Sequence, residues 1–86
     1  SKMKDLQSNF AEIQKKMETT LITGNSSDEK VHVTVNGLRQ ILNVEIDSSL
    51  MNIDSKLILQ ARLVEASNDA LVKITEILKK EVPMPM

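Results

Sequence analysis

The sequence predicts an α+β fold in the order α-β-β-β-α, with a three-stranded antiparallel sheet and a long C-terminal helix. Three observations predict it: an apolar seam at helical spacing near the N-terminus, short β-branched segments separated by turn residues, and helix-type periodicity from residue 55 to residue 80. A chain of 86 residues is expected to form a single domain. We place that domain at residues 1–81 and expect residues 82–86 to be a disordered tail, because two prolines interrupt any helix there.

The N-terminal segment has the pattern of an amphipathic helix from about Lys2 to Glu18. Its apolar residues alternate at spacings of three and four, which is typical of a narrow coiled-coil edge. The members of this seam are Met3, Leu6, Phe10, Ile13 and Met17. Lys4 and Lys15 lie on the opposite stripe, with the small residues Ser8 and Ala11 between them.

The middle of the chain predicts the first two strands. The β-branched residues at 19–23 (TTLIT) favour the first strand, and the polar segment 24–30 (GNSSDEK) favours a loop. Residues 30–35 then alternate polar and apolar, as a half-buried second strand does.

Asn36-Gly37 predicts a two-residue type I′ turn, in which both central residues take positive φ. Residues 38–47 would return as the third strand. Its alternation places Leu42, Val44 and Ile46 on one face and leaves Ile41 on the other.

The long C-terminal helix, preceded by Asn52 or Asp54 as a cap, carries apolar residues around about half of its circumference. A face this wide predicts that the helix packs against the sheet and against something else as well. The two seams are Leu57, Ala61, Val64, Leu71 and Leu78, and then Leu59, Leu63, Ala66, Ala70, Ile74 and Ile77. Asn68 continues the first seam, where we expect a buried hydrogen bond.

Composition excludes several classes of function. The chain has no cysteine and a single histidine, His32, so we expect no metal, no cofactor and no catalytic triad, and hence no enzyme or small-molecule substrate. No apolar run is long enough to span a bilayer, and we expect a cytoplasmic location without a membrane partner. Eleven basic residues against twelve acidic ones give a net charge of -1, which does not by itself indicate a polyanion ligand.

Size and apolar content together predict a homodimer. A chain this short is marginally stable alone, and without disulfides or metals a second subunit is the remaining means of stabilisation. The apolar residues left over by the predicted sheet and helices would form the interface. These residues are Met3, Leu6, Phe10, Ile13, Met17 and Ile41.

Four short motifs in order, VTVNG (33–37), VEID (44–47), Ser49-Leu50 and NDAL (68–71), resemble the YbaB/EbfC family of bacterial nucleoid-associated proteins. The resemblance covers nearly the whole chain. It implies an α-β-β-β-α homodimer with protruding helices that binds double-stranded DNA with little sequence preference, and hence a location in the nucleoid. The family often carries basic residues just before VEID, where this chain has Leu42 and Asn43. We therefore expect DNA contacts on the helices rather than on the sheet.

Helix-borne cations are the predicted DNA contacts, because Lys and Arg gain affinity by releasing counterions from phosphates. They are Lys2, Lys4, Lys15, Lys16, Arg62, Lys73, Lys79 and Lys80. An acidic residue lies four positions before Lys16, Lys73 and Lys80, which also fits simple helix-stabilising ion pairs. A second hypothesis is a dimeric protein-interaction module that does not bind DNA directly, since the charge is near neutral and the helices are half apolar.

Overall fold

The structure is a computed structural model that describes the backbone of residues 2–81 and the side chains of residues 9–80. The predicted α-β-β-β-α order is confirmed. The elements are α1 (Lys2–Thr19), β1 (Leu21–Asn25), β2 (Val31–Asn36), β3 (Ile41–Ile46) and α2 (Lys56–Glu81), with two short 3-10 turns, Ser48–Leu50 and Ile53–Ser55, between β3 and α2. Within residues 2–81 neither helix is long and apolar enough to cross a membrane. Residues 82–86, the expected tail, lie outside the described residues.

The three strands form an antiparallel sheet in the order β1-β2-β3. The central strand β2 alternates as predicted, with Val31, Val33 and Val35 fully buried and the residues between them partly exposed. α2 packs across β1 and β2, where its second apolar seam meets these valines. The buried apolar core is Val31, Val33, Val35, Leu50, Ala66, Ala70 and Ile74. Asn52 caps the turn that leads into α2, since its side chain accepts the amide of Ser55 at 3.0 Å.

The predicted type I′ turn at Asn36-Gly37 is wrong. Neither residue has positive φ; instead Arg39 does, at 61°. The Arg39 amide donates to the Asn36 carbonyl at 2.9 Å, and the Asn36 amide donates to the Gln40 carbonyl at 3.1 Å, the pattern of a three-residue hairpin loop closed by a left-handed residue. The buried Asn36 side chain favours this longer loop, because its oxygen accepts the amides of Leu38 and Gln40.

A β-bulge at Leu42 changes which residues of β3 share a face. Val33 pairs with Val44, but Val35 pairs with Ile41, so that Leu42 is the extra residue. Cross-strand partners point to the same side of a sheet, and Ile41 therefore joins Val44 on the face of the buried valines. The prediction that grouped Leu42 with Val44 and set Ile41 apart was wrong for this reason.

α2 packs on β1 and β2 and leaves the same face of β3 open. The side chains of Ile41 and Val44 are consequently 59% and 41% exposed, although they adjoin the core. The expectation that part of the apolar surface remains uncovered within one chain is confirmed at this strand.

The molecule is elongated, with principal extents of 62 × 21 × 14 Å. Its radius of gyration is 16.9 Å, whereas a compact chain of this length has a value of about 12 Å. α1 accounts for much of the difference, because it contacts the body chiefly at the end of β2. There the Gly37 amide donates a 2.7 Å hydrogen bond to the carbonyl of Met17.

Candidate nucleic-acid interface

The predicted DNA-contacting side chains divide into those the structure describes and those it does not. Lys2 and Lys4 lie in α1 outside the residues whose side chains are described. The other six are Lys15, Lys16, Arg62, Lys73, Lys79 and Lys80, and all of them lie on α1 or α2 as predicted.

Lys15 and Lys16 are exposed in the last part of the projecting helix α1. Two threonine hydroxyls close this helix end: Thr19 donates to the Lys15 carbonyl at 3.0 Å and Thr20 to the Lys16 carbonyl at 2.6 Å. The Thr20 amide also donates to the Lys16 carbonyl at 3.0 Å, so the hydroxyls add second hydrogen bonds at this end of the helix, and Lys16 in the last turn complements its partial negative charge. Both side chains are exposed at this end of the helix.

Arg62 and Lys73 are neutralised by carboxylates. Arg62 Nε lies 2.8 Å from Asp28 Oδ2, and Lys73 Nζ lies 2.9 Å from Asp69 Oδ2. The second pair confirms the simple ion-pair interpretation of Lys73. The Arg62 pair joins residues 34 positions apart and was not predicted. A phosphate would have to displace an acidic residue at either position, so both are weaker candidates than the exposed Lys15.

The C-terminal lysines of α2 are more exposed. Lys79 lies 3.8 Å from Glu76, a loose surface pair, whereas the sequence predicted that Glu76 would pair with Lys80. Surface pairs of this kind contribute little, about 0 to 1 kcal/mol, and are readily exchanged for a phosphate. Lys79 and Lys80 thus remain accessible cations at the end of α2.

Carboxylates fasten the loop after β1 onto α2. Asp69 accepts the Asn25 amide at 2.9 Å, and Glu65 accepts the amide of Ser27. Asp28 is held by a hydrogen bond from the Ser26 hydroxyl, by Arg62 and by the Lys30 amide, which lower its pKa to about 2. The charged form of Asp28 is therefore the form that the folded loop stabilises.

We expect the fold to lose stability as the pH falls from about 4 toward 2. The Asp28 pKa is 3.8 in an unconstrained chain and about 2 in the folded loop, so the unfolded state binds this proton first. The contribution of Asp28 to the free energy of unfolding is present above about pH 4, and it disappears as the pH falls through the folded-state pKa of about 2. Urea midpoints measured by circular dichroism between pH 2 and 5 should fall less steeply for Asp28→Asn than for the unsubstituted chain. Equal slopes would contradict the assignment.

Large apolar side chains are exposed on both sides of the molecule. Of the predicted interface residues, Phe10, Ile13 and Ile41 are exposed, and Phe10 the most, at 70%. Met17 is half-buried where α1 meets Gly37, and Met3 and Leu6 lie outside the described side chains. Val44 is a further exposed apolar residue that was not among the predicted interface residues. The bulge places Ile41 on the same face of β3 as Val44, and the sequence did not predict that bulge.

The first seam of α2 is the side that faces away from the sheet. Leu57 and Val64 are exposed along it, and Leu71 is partly buried. Asn68 is exposed beside Val72 in the single chain. The prediction that its side chain makes a buried hydrogen bond was therefore wrong for the single chain. The sheet-facing seam covers the core together with Leu78 of the first seam, and the rest of the first seam is left without a partner within the described part of the chain.

The fold and its surface are those of a small binding protein whose charged groups are carried mainly by two helices. The chain belongs to the YbaB/EbfC DNA-binding family, whose family model matches residues 1–83. That is a family of DNA-binding nucleoid-associated proteins rather than of enzymes.

Curated relatives carry the same description. The chain is 37% identical over 79 residues to a nucleoid-associated protein of Desulfotalea psychrophila, covering 92% of this chain and 74% of that one. It is 34% identical over 74 residues to a nucleoid-associated protein of Dictyoglomus thermophilum, covering 86% and 71%. Among solved structures, an uncharacterized protein of Helicobacter pylori matches with a TM-score of 0.70 and 28% identity over 93% of both chains. The family resemblance that the motifs suggested is confirmed.

Proposed function

We propose that this protein is a nucleoid-associated homodimer that binds double-stranded DNA with low sequence specificity. In this proposal helix-borne lysines contact phosphates, and the sheet carries no DNA contact. The observation that supports it most is the exposure of Lys15 and Lys16 on a helix that projects from the body, in a chain of a DNA-binding family. Phosphate contacts position a protein on a duplex without reading its sequence, which agrees with cations that lack any built pocket for a base.

We propose that a second copy of the chain packs against the open face of β3 and against the apolar seam of α1. Phe10, Ile13, Ile41 and Val44 are large apolar side chains that water contacts in the single chain. Burial of such residues is worth about 1.5 to 3 kcal/mol each, and twofold symmetry would double the gain for the pair. The dimer would also place two α1 helices on one particle, so that both can contact the same duplex.

A gel-shift titration in increasing salt tests the DNA-binding proposal. If each dimer neutralises about four to eight phosphates, log K falls against log salt with a slope of about -4 to -7. Two duplexes of unrelated sequence should give similar affinities. Binding that is unchanged between 50 and 200 mM salt, or confined to one duplex, would contradict the proposal.

We expect Ile41→Asp to dissociate the dimer. A carboxylate at this position would be desolvated on association and left without a partner, which costs several kcal/mol per subunit. Sedimentation velocity at micromolar concentration should show a dimer for the unsubstituted chain and a single protomer for the variant. Thr23→Asp, an exposed change on the opposite face of the sheet, serves as the matched control and should remain dimeric. A stable single protomer of the unsubstituted chain would overturn the dimer proposal.

The alternative, a dimeric protein-interaction module, is favoured by the exposed apolar residues of α2. Leu57 and Val64 are exposed on the side of α2 that faces away from the sheet, and the proposed contact through β3 does not account for them. A sample that passes through heparin and DNA columns at low salt without retention would favour this alternative over DNA binding.

A further inference from the structure

The charges of the described side chains are divided between the two ends of the sheet. One end contains the C-terminal half of α1, the β2–β3 hairpin loop (residues 37–39) and the last two turns of α2. Among the described side chains this basic end carries five cations, Lys15, Lys16, Arg39, Lys79 and Lys80, against the three anions Glu12, Glu18 and Glu76. The other end carries three cations, Lys30, Lys56 and Arg62, against the six anions Asp28, Glu29, Glu45, Asp47, Asp54 and Glu65. A net charge near zero therefore conceals two ends of opposite sign.

Four contacts fix which segments lie at which end. The Gly37 amide bonds to the Met17 carbonyl at 2.7 Å, so the end of α1 adjoins the hairpin loop. Arg39 Nη2 donates to Thr75 Oγ1 at 3.0 Å, which sets the last part of α2 beside the same loop. At the opposite end, the Asp47 amide donates to the Lys30 carbonyl at 2.8 Å, and the loop after β1 binds Glu65. The hairpin loop thus lies between the two lysine-bearing helix ends.

Arg39 occupies a position in that loop which its backbone does not favour. Its φ of 61° is the left-handed conformation, which glycine or asparagine adopts at lower cost. An arginine at such a position indicates that its side chain has a use which offsets the backbone strain. The side chain is exposed, and Thr75 accepts only one of the five N–H donors of the guanidinium. Thr75 is itself fixed, since its hydroxyl donates to the Leu71 carbonyl at 2.8 Å.

We infer that Arg39 is a further DNA contact, and that the hairpin loop is a third DNA-binding element between the ends of α1 and α2. Its guanidinium binds one backbone phosphate through the donors that Thr75 leaves available, in the planar fork that suits phosphate oxygens. The inference rests on the proposed DNA binding. It also orients the complex, with the basic end toward the duplex and the acidic end away from it.

The experiment compares Arg39→Gly with Lys56→Ala in salt-titrated gel shifts on a 30-base-pair duplex. Both changes remove one positive charge, but Lys56 lies at the acidic end. Losing one phosphate contact reduces the salt slope by about 0.9 and weakens binding by about eightfold at 0.1 M salt. We expect this loss for every copy of Arg39 in the dimer that contacts a phosphate. For Lys56→Ala we expect the affinity for DNA to change by less than twofold. Glycine fits the left-handed position, so Arg39→Gly should melt at or above the temperature of the unsubstituted chain.

Thr75→Val separates a phosphate contact from a purely structural role of Arg39. The variant keeps the positive charge of Arg39 but removes the Thr75 hydroxyl that accepts its hydrogen bond. Its DNA binding should therefore keep the full salt slope. Arg39→Gly binding as tightly as Lys56→Ala, while the unsubstituted chain binds DNA with a steep salt slope, would overturn the inference and leave the proposed function standing. An unsubstituted chain that does not bind DNA would overturn both.

Discussion

Gly24→Ala is expected to destabilise the fold by about 3 kcal/mol, as severe overpacking does. Gly24 lies in β1 directly beneath α2, and an added methyl group would collide with the Ala70 amide nitrogen and the Ala66 carbonyl oxygen and lie 2.6 Å from Ala70 Cα. These are backbone atoms, so no side-chain rotation can relieve the collision. The φ of Gly24 is not positive, and its role is therefore steric rather than conformational. α2 would have to lift from β1, which opens the core around Ile74.

Urea denaturation followed by circular dichroism measures this effect, at one protein concentration because the stability of a dimer depends on it. Asn43→Ala, an exposed position on β3, is the matched control and should change stability by less than about 0.5 kcal/mol. Adding Ala70→Gly to Gly24→Ala should not restore stability, since the collision is with the backbone of Ala70. A Gly24→Ala variant as stable as the control would show that α2 lies further from β1 than described.

Replacing Lys4 and Lys15 together with alanine is expected to weaken DNA binding by about four-thousandfold at 0.1 M salt if all four side chains of the proposed dimer contact phosphates. The two positions are eleven residues apart, which is about three helical turns, so helical spacing places both on one stripe of α1. The proposed dimer would lose four cations in this variant, and each lost phosphate contact lowers the salt slope by about 0.9. The loss should be equal on unrelated sequences, because phosphates carry no sequence information.

Lys30→Ala with Lys56→Ala removes the same charge from the acidic end and provides the matched control. Gel shifts at several salt concentrations should show a reduced slope only for the α1 variant, and circular dichroism should show equal helix content in both. If the α1 variant binds as tightly as the control, α1 is not the DNA-binding element, even where the unsubstituted chain binds DNA.

Local patterns were sufficient to predict the order of the elements and the packing of the core. The valines of β2 and the Ala66–Ala70–Ile74 row of α2 follow directly from strand and helix periodicity. The hairpin loop could not be predicted in the same way. Asn-Gly has a strong two-residue preference, but here the Asn36 side chain bonds to two later amides and lengthens the loop. The bulge at Leu42 was not predicted either, and it places Ile41 rather than Leu42 on the face of the buried valines.

The candidate site was predictable only in part. Helical spacing correctly placed the cations on two helices, and it identified the Asp69–Lys73 pair because that pair is local. The Arg62–Asp28 pair depends on how a loop folds back onto α2, and spacing within a helix does not contain that information. Arg39 was missed because its importance depends on a left-handed backbone and on Thr75, 36 residues away.

The junction between Gly37 and Met17 determines the direction in which α1 points. A methyl group on Gly37 would lie 2.6 Å from the Met17 carbonyl oxygen and 2.9 Å from its Cα, so any side chain there must tilt the helix. An 18-residue helix is about 27 Å long, and a tilt of 10° at its base therefore moves its tip by about 5 Å. The absence of a side chain at Gly37 thus sets the angle at which α1 leaves the sheet. In the proposed dimer, a larger residue at this position would change the separation of the two α1 helices and hence the width of duplex that fits between them, while the strands keep their pairing.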